Sequence, residues 1–439
     1  MTTMQQVIDL AQALDARSAV IAENEKYLDG TQPLAFLSKT ARDSTRLARM
    51  ASNIPGVQVS AIAERLRVTD LTLDGKHDDA LWADYQDNDL DQLLPLAFRE
   101  ALGLGESAAI VWDRTGRAKP KVSIESAQQV IIERDPGTRE TTAALKRWSH
   151  GGVSHARLYL PDAVIPFTAD GENAALGWRE GAAVRNPLGV VPVVGFRNTS
   201  RLLGPGLSEI TDLKPLVDAL NKILADMMVG SEFYARPRRW ATGIEMGSDD
   251  EGEPENPFPE GDRMMVSEQE GARFGSLPAA DLQSYEAAVR VLLGQIMAIS
   301  SLPAHYLGAL SGQTPGADGL RAAEAALTAR GEAKQHLFGP SVEAIGRLMV
   351  GIRTETDPDS HVVKVRWADP ATRSVAQEAD AAVKLHAAGL LPDDFVLARL
   401  GYDADQIREI RNARRAQALE RLTLPAPRSA APAPAGTPA

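Results

Sequence analysis

Two groups of carboxylates are the first places in this sequence where chemistry could reside. Asp84, Asp87, Asp89 and Asp91 partly match the spacing of a calcium-binding loop, but the glycine that turns such a loop and the glutamate that closes it are missing. They read as the solvated face of a helix. Asp249, Asp250, Glu251 and Glu253 could act as paired carboxylates in hydrolysis, yet they lie among Gly and Pro with no rigid element beneath them, the pattern of an exposed loop. Among the seven histidines the closest pair is His150 and His155, which flank a Gly-Gly turn and have no third ligand nearby in sequence. Cysteine is absent, which excludes disulfides, thiolate metal sites and a Cys nucleophile and fits a reducing cytoplasm. No cofactor and no metal is expected.

Nucleotide chemistry finds little support. The chain has no G-x-x-x-x-G-K-[ST], no H-E-x-x-H and no G-x-S-x-G. "GLGESA", Gly103 to Ala108, follows an expected helix and precedes an expected strand, the reverse of the order in a dinucleotide site, so it reads as a helix C-cap and turn. Arg236, Arg238, Arg239 and Trp240 combine charge and stacking surface as a nucleic-acid contact would. The favoured reading of the same residues is an edge strand whose arginines meet the acidic loop at 249–253 of the same or a neighbouring subunit.

The elements that would carry these groups follow from periodicity. Residues 3–26 and 36–52 are helix-forming, separated by a turn at Asp29-Gly30 and Pro33. "VQVSAIAERLRVTDLTL" reads as one or two short strands and Leu81 to Leu102 as one amphipathic helix. "SAAIVWD", "KVSIES", "QVIIERD", "AALKRW" and "HARLYLP" read as strands of a largely antiparallel sheet. From about Asp212 to Phe233, Leu213, Leu216, Val217, Leu220, Ile223, Leu224, Met227 and Met228 recur at helical spacing. A small insert follows, with strands expected in "YARPRRWATGI" and "RMMVSE", and then a second helix carrying Leu282, Tyr285, Val289, Leu292, Leu293 and Ile296. A helical stalk with a β tip is the expected shape. "SSLPAHYLGALSGQTPGADGL" interrupts the helices with Pro, Gly, Ser and Gln. A long helix from about Pro315 to Ile352 should bend or break at Gly339-Pro340. A strand, "HVVKVRWAD", precedes helices over Val375 to Leu422, and the Pro/Ala-rich end at 425–439 is expected to be disordered. The fold class is α+β, mainly helical.

The 439 residues carry a net charge of −12, from 59 acidic and 47 basic side chains, which argues against a large basic face gripping nucleic acid. The first residues lack the basic and apolar regions of a signal peptide, and the apolar runs fall short of the ~20 residues of a membrane span. A protein without membrane contact is expected.

The order of parts resembles the portal proteins of tailed bacteriophages, closest to the branch carried by phages of high-G+C hosts. Strings spanning roughly 27–391 carry the likeness: "YLDGTQPLAFL", "SAIAERLRV", "DALNKILADMMVGSEFYARPRRWATGI", "AAVRVLLGQIMAISSLPAHYLG", "LRAAEAALTARGEAKQHLFG" and "VRWADPATRSVAQEADAAVKLHAAGLL". The resemblance implies a non-enzymatic ring subunit, usually dodecameric, at one capsid vertex of the virion, assembled in the host cytoplasm. It implies a wing at 1–207, stem helices at 208–233 and 279–300, a clip at 234–278, a tunnel loop at 301–317, a return to the wing at 318–372 and a crown at 373–424. Its partners would be further copies of the chain, the large terminase motor, a head-to-tail adaptor, the major capsid or scaffold protein, and double-stranded DNA passing through the channel. By the same likeness Pro303, His305, Tyr306, Gly308, Ser311 and Gln313 would approach the DNA, and Arg236, Arg238, Arg239, Trp240, Asp249, Asp250 and Glu251 would meet a partner or a neighbouring subunit. The competing readings are a carboxylate-dependent hydrolase and a non-phage helical adaptor.

Overall fold

The computed structural model describes residues 2–35, 51–113, 116, 118–202, 204–235, 239–244, 247–248, 254–255, 271–276, 283–308, 317–371, 375–400, 402 and 404–423. The chain opens with α1 (Thr3–Leu28), whose N-cap Thr2 accepts from the Gln5 backbone N–H. Instead of the expected strand, Ile54–Ala63 forms a helix, α2. Asn53 caps it by accepting from Gly56 N at 3.1 Å, and Pro55 suits the first turn. Val59, Ala61 and Ile62 are all fully buried, so the helix shows no polar face from which its period could be read. The strand begins only at β1 (Val68–Leu73), beside the short β2 (Lys76–His77).

Leu81 to Leu102 is two helices rather than one: α3 (Asp79–Asp87) and α4 (Leu90–Leu104). Asn88 makes the break. Its buried amide donates to the carbonyls of Asp84 and Pro120 at 2.8 and 3.1 Å and accepts from Val122 N at 2.9 Å, while Asp89 turns left-handed at φ 52°. "GLGESA" is a helix end, as expected: Gly105 caps α4 at φ 99°, and a Cβ there would stand 2.9 Å from Gly206 O.

Among the described residues, eleven strands run from β1 to the end of the body. β3 (Glu106–Asp113), β4 (Pro120–Ser126) and β11 (Val193–Arg197) form one antiparallel sheet in the order β11-β3-β4. β5 (Val130–Arg134), β6 (Thr141–His150), β7 (Val153–Tyr159), β8 (Ala163–Asp170), β9 (Arg179–Glu180) and β10 (Val184–Arg185) form a second, in the order β10-β8-β7-β6-β5 with β9 on β8. All five strands quoted from the sequence are present; β8, β9, β10 and β11 are additional. Alternation assigns the second sheet's faces. Ala143, Leu145, Ala156, Leu158, Ile165 and Phe167 pack on Val7, Leu10 and Ala11 of α1. Ala144, Tyr159 and Val164 turn the other way, toward Ile110 and Val193.

The helical pair is α5 (Lys214–Ala235) and α6 (Gln283–Ser300). Between them lie β12 (Arg239–Thr242), the short pair β13 (Gly247–Ser248) and β14 (Pro254–Glu255), and β15 (Arg273–Ser276). β12 pairs with β15, a segment the sequence reading passed over; "RMMVSE" lies outside the described residues, as do 36–50. α7 (Ala317–Thr354) runs through Pro340 as one helix, so of the bend or break expected there the break does not occur. Pro340 is exposed, and Phe338 and Val342 on either side are buried, so packing holds the helix across the missing hydrogen bond. β16 (Val363–Trp367) returns to pair with β1, and α8 (Val375–Ala387), α9 (Asp393–Arg399) and α10 (Ala404–Thr423) follow. Residues 425–439 lie outside the described residues. Among those described, no helix is long and apolar enough to cross a membrane.

Four rings lock the main core. Phe98 of α4 stacks on Phe338 of α7 at 5.6 Å and meets Phe196 of β11 edge-on at 5.5 Å, with Trp367 of β16 at 5.7 Å. The α5 helix is tied to the body by the Tyr27 hydroxyl, which donates to the Asp218 carboxylate at 2.8 and 2.9 Å. Burial, and then the Asp218 charge, push the Tyr27 phenol well above its ordinary value, so it remains a donor at any working pH. Tyr27→Phe is expected to cost about 1.5–2 kcal/mol in equilibrium unfolding, since a charged acceptor loses its donor.

Candidate functional site

The described residues that could do something specific converge where α6 ends. Ser301 turns left-handed at φ 58°, Leu302 and Pro303 are buried, and Ala304–Leu307 makes one 3-10 turn closed by Gly308 at φ 66°. Gly308 N donates to Ala304 O and His305 O, a left-handed cap that suits glycine. Residues 309–316 lie outside the described residues, among them Ser311 and Gln313.

The segment's root is held by the helix that the chain enters afterwards. Arg330 on α7 donates to the last carbonyls of α6, Ile299 O at 3.2 Å and Ser300 O at 2.7 Å, groups that no intrahelical N–H can reach. Glu324, one and a half turns earlier, lies 3.4 Å from His305 Nε2 and 3.5 Å from Arg65 Nη2. Arg65 also donates to Ala61 O at 2.6 Å and to the Tyr306 hydroxyl at 3.4 Å. His305 and Tyr306 are therefore part-buried anchors, with rings 4.8 Å apart, rather than free ends. Pro303 is buried, and Gly308 is the exposed one among the described members of the set.

Beside this root sits a buried charge cluster. Glu209 accepts from Asn198 Nδ2 at 3.0 Å, pairs with Lys334 and lies 3.4 Å from Arg330 Nε. Lys334 also donates to Asn198 Oδ1 at 2.6 Å. Burial opposes ionisation of Glu209, but Lys334, Arg330 and Asn198 outweigh it and hold the carboxyl below its ordinary range. The segment preceding α5, the end of α6 and the first half of α7 thus share one network. Sequence reasoning missed all of it. The available signal was that Glu324, Leu327, Gly331, Lys334 and Phe338 form one helical stripe, in which charges occupy inward positions.

The other candidates are dispersed. Asp84 takes a 2.7 Å ion pair from Arg353 and is half-buried, and burial raises its carboxyl in spite of that partner. Asp87 pairs with Lys119 at 2.8 Å. The solvated-face reading therefore fits Asp87 better than Asp84. His155 stacks on Trp148 at 5.4 Å, and among the described residues no group of His, Asp and Glu is arranged to hold a metal. Arg239 and Trp240 stand in β12; Trp240 is 44% exposed and crosses Gly275, where a Cβ would come within 2.5 Å of the indole. Arg236, Arg238, Asp249, Asp250 and Glu251 lie outside the described residues.

This arrangement holds the end of α6 and the turn at 304–307 against α7. The family model for phage portal proteins, SPP1 Gp6-like, matches residues 10–418, and the chain belongs to that family. It is a structural portal subunit, not an enzyme, and builds a ring. Relatives include the portal proteins of Mycobacterium phage L5, 29% identical over 428 residues covering 92% of this chain and 86% of that one, and of Mycobacterium phage D29, 28% identical over 432 residues covering 92% and 87%. Among solved structures, the neck of an empty gene transfer agent particle computed with C6 symmetry aligns with a TM-score of 0.48 at 14% identity, covering 84% of this chain and 95% of that one. The virion of the native particle aligns at 0.46 and 15%, covering 85% and 96%.

Proposed function

We propose that residues 301–317 are the tunnel loop of the portal ring, that 208–233 and 279–300 are its stem, 234–278 its clip, 1–207 and 318–372 its wing and 373–424 its crown. The ring then passes double-stranded DNA inward during packaging, retains it, and releases it on infection. The large terminase motor and a head-to-tail adaptor dock at the clip in turn, the major capsid or scaffold protein surrounds the wing, and the subunits assemble in the host cytoplasm.

The observation that carries this reading is the anchored root. Arg330 and Glu324 fix residues 299–306 against α7, a rigid root from which the loop of a channel would project. Residues 301–316 contain no Lys or Arg, which lets phosphates slide past without being held. Deleting 309–313 in a phage complemented with the altered subunit tests it. Rings and filled heads are expected to form, with DNA lost from them and infectious titre collapsing. Full titre and full DNA retention would contradict the assignment.

A further inference from the structure

The two large sheets of the body touch at one end and part at the other. Ile110 and Val193 meet Ala144, Tyr159 and Val164 where they touch. Where they part, a groove of about 550 Å³ opens, a size suited to two or three large side chains of a ligand. Alternation explains its lining: Lys146, Trp148, Arg157, Tyr159, Val164 and Pro166 all lie on the face of the second sheet turned away from α1, opposite Trp112, Lys121 and Ser123 of the first sheet.

Its charge is the informative property. In a chain of net charge −12 the groove presents Lys121, Lys146 and Arg157 against a single carboxylate, Glu125. Glu125 is already committed, accepting from Lys146 at 2.6 Å and from Ser123 Oγ at 2.8 Å. Lys146 and Arg157 stand 5.6 and 5.7 Å from the Trp148 ring, which fixes both cations at the wall. Lys121 and Arg157 are exposed, and Val184 at the mouth is 55% exposed.

We propose that this groove is a docking site for an acidic peptide segment of another protein, one that carries an aromatic or large aliphatic side chain. The apolar side chain enters between Trp112, Trp148 and Val164, and flanking carboxylates meet Lys121 and Arg157. A single-stranded nucleic acid would also seek cations and aromatics, but the Val164 and Pro166 floor offers it no partner for base edges.

The test is fluorescence anisotropy on the full chain with a labelled peptide, Asp-Glu-Phe-Leu-Glu-Asp, at low salt. Three probes are run beside it: the peptide with Ser for Phe and Leu, the peptide with Lys for its acids, and an oligothymidylate of the same length. The acidic apolar peptide is expected to bind about tenfold or more tighter than each comparison probe, and to lose at least about tenfold in the Lys121→Glu/Arg157→Glu double variant, whose changes fall on exposed side chains. Val184→Asp, which leaves all cations in place, is expected to weaken it too. No saturable binding, equal binding of the four probes, preference for the oligothymidylate, or undiminished binding by a double variant with unchanged circular dichroism would each overturn the proposal.

Discussion

Glu209→Gln is expected to lower the free energy of unfolding by roughly 3 kcal/mol, because it leaves Lys334 and Arg330 facing a neutral group in a buried setting. The Glu209 and Lys334 side chains are only 8% and 12% exposed, so water cannot replace the lost charge. The pH dependence has a definite sign. Glu209 is depressed below its ordinary value of 4.5, so its stabilisation is complete above that value and is lost as pH falls through the lower, folded value. The variant should therefore show a flatter acid limb below about pH 4.5 than the parent, read as the denaturation midpoint against pH. Glu209→Gln combined with Lys334→Met should recover part of the loss, since no unpaired ammonium remains. Equal midpoints for parent and single variant would show that the network carries no energy.

Phe338→Ala is expected to cost about 3–5 kcal/mol, the range for emptying a large core ring. Phe338 is fully buried and touches Phe98 and Phe196 at centroid distances of 5.6 and 6.0 Å, so three elements lose their common contact. The consequence extends to the site, because the same helix presents Glu324, Arg330 and Lys334. Phe338→Leu, which keeps most of the volume, should cost about 1.5 kcal/mol or less. Equilibrium unfolding in urea separates the two, and a cost for the Ala variant no larger than for Leu would place the centre of the core elsewhere.

How much of this was legible in the sequence depends on the range of the interaction. The strands around Ile110, Ile132 and Leu158 announce themselves by alternation, and the α5 and α6 helices by their apolar stripes, because both are local patterns. Asn53 and Pro55 stand at the start of α2, but a mostly buried apolar run such as this looks the same as a strand. Asn88 ended α3 through bonds to Pro120 and Val122, more than 30 residues away. Pro340 failed to break α7 because Phe338 and Val342 found partners on distant strands. The site shows the same division. The polar, Gly- and Pro-rich character of 301–316 could be read directly, and the glycine at 308 in a left-handed cap agrees with it. The residues that hold its root could not: Arg330 reaches Ser300 across 30 positions, and Lys334 reaches Glu209 across 125. Only a fold brings such pairs together.

The central claim is that these subunits close into a ring around a channel. Mass photometry of the purified chain, with negative-stain images of the same sample, tests it most directly. Particles of about twelve 47.1 kDa subunits with a central hole are the expected result. A compact monomer at every protein concentration and salt, in the presence as well as the absence of its capsid partners, would contradict it.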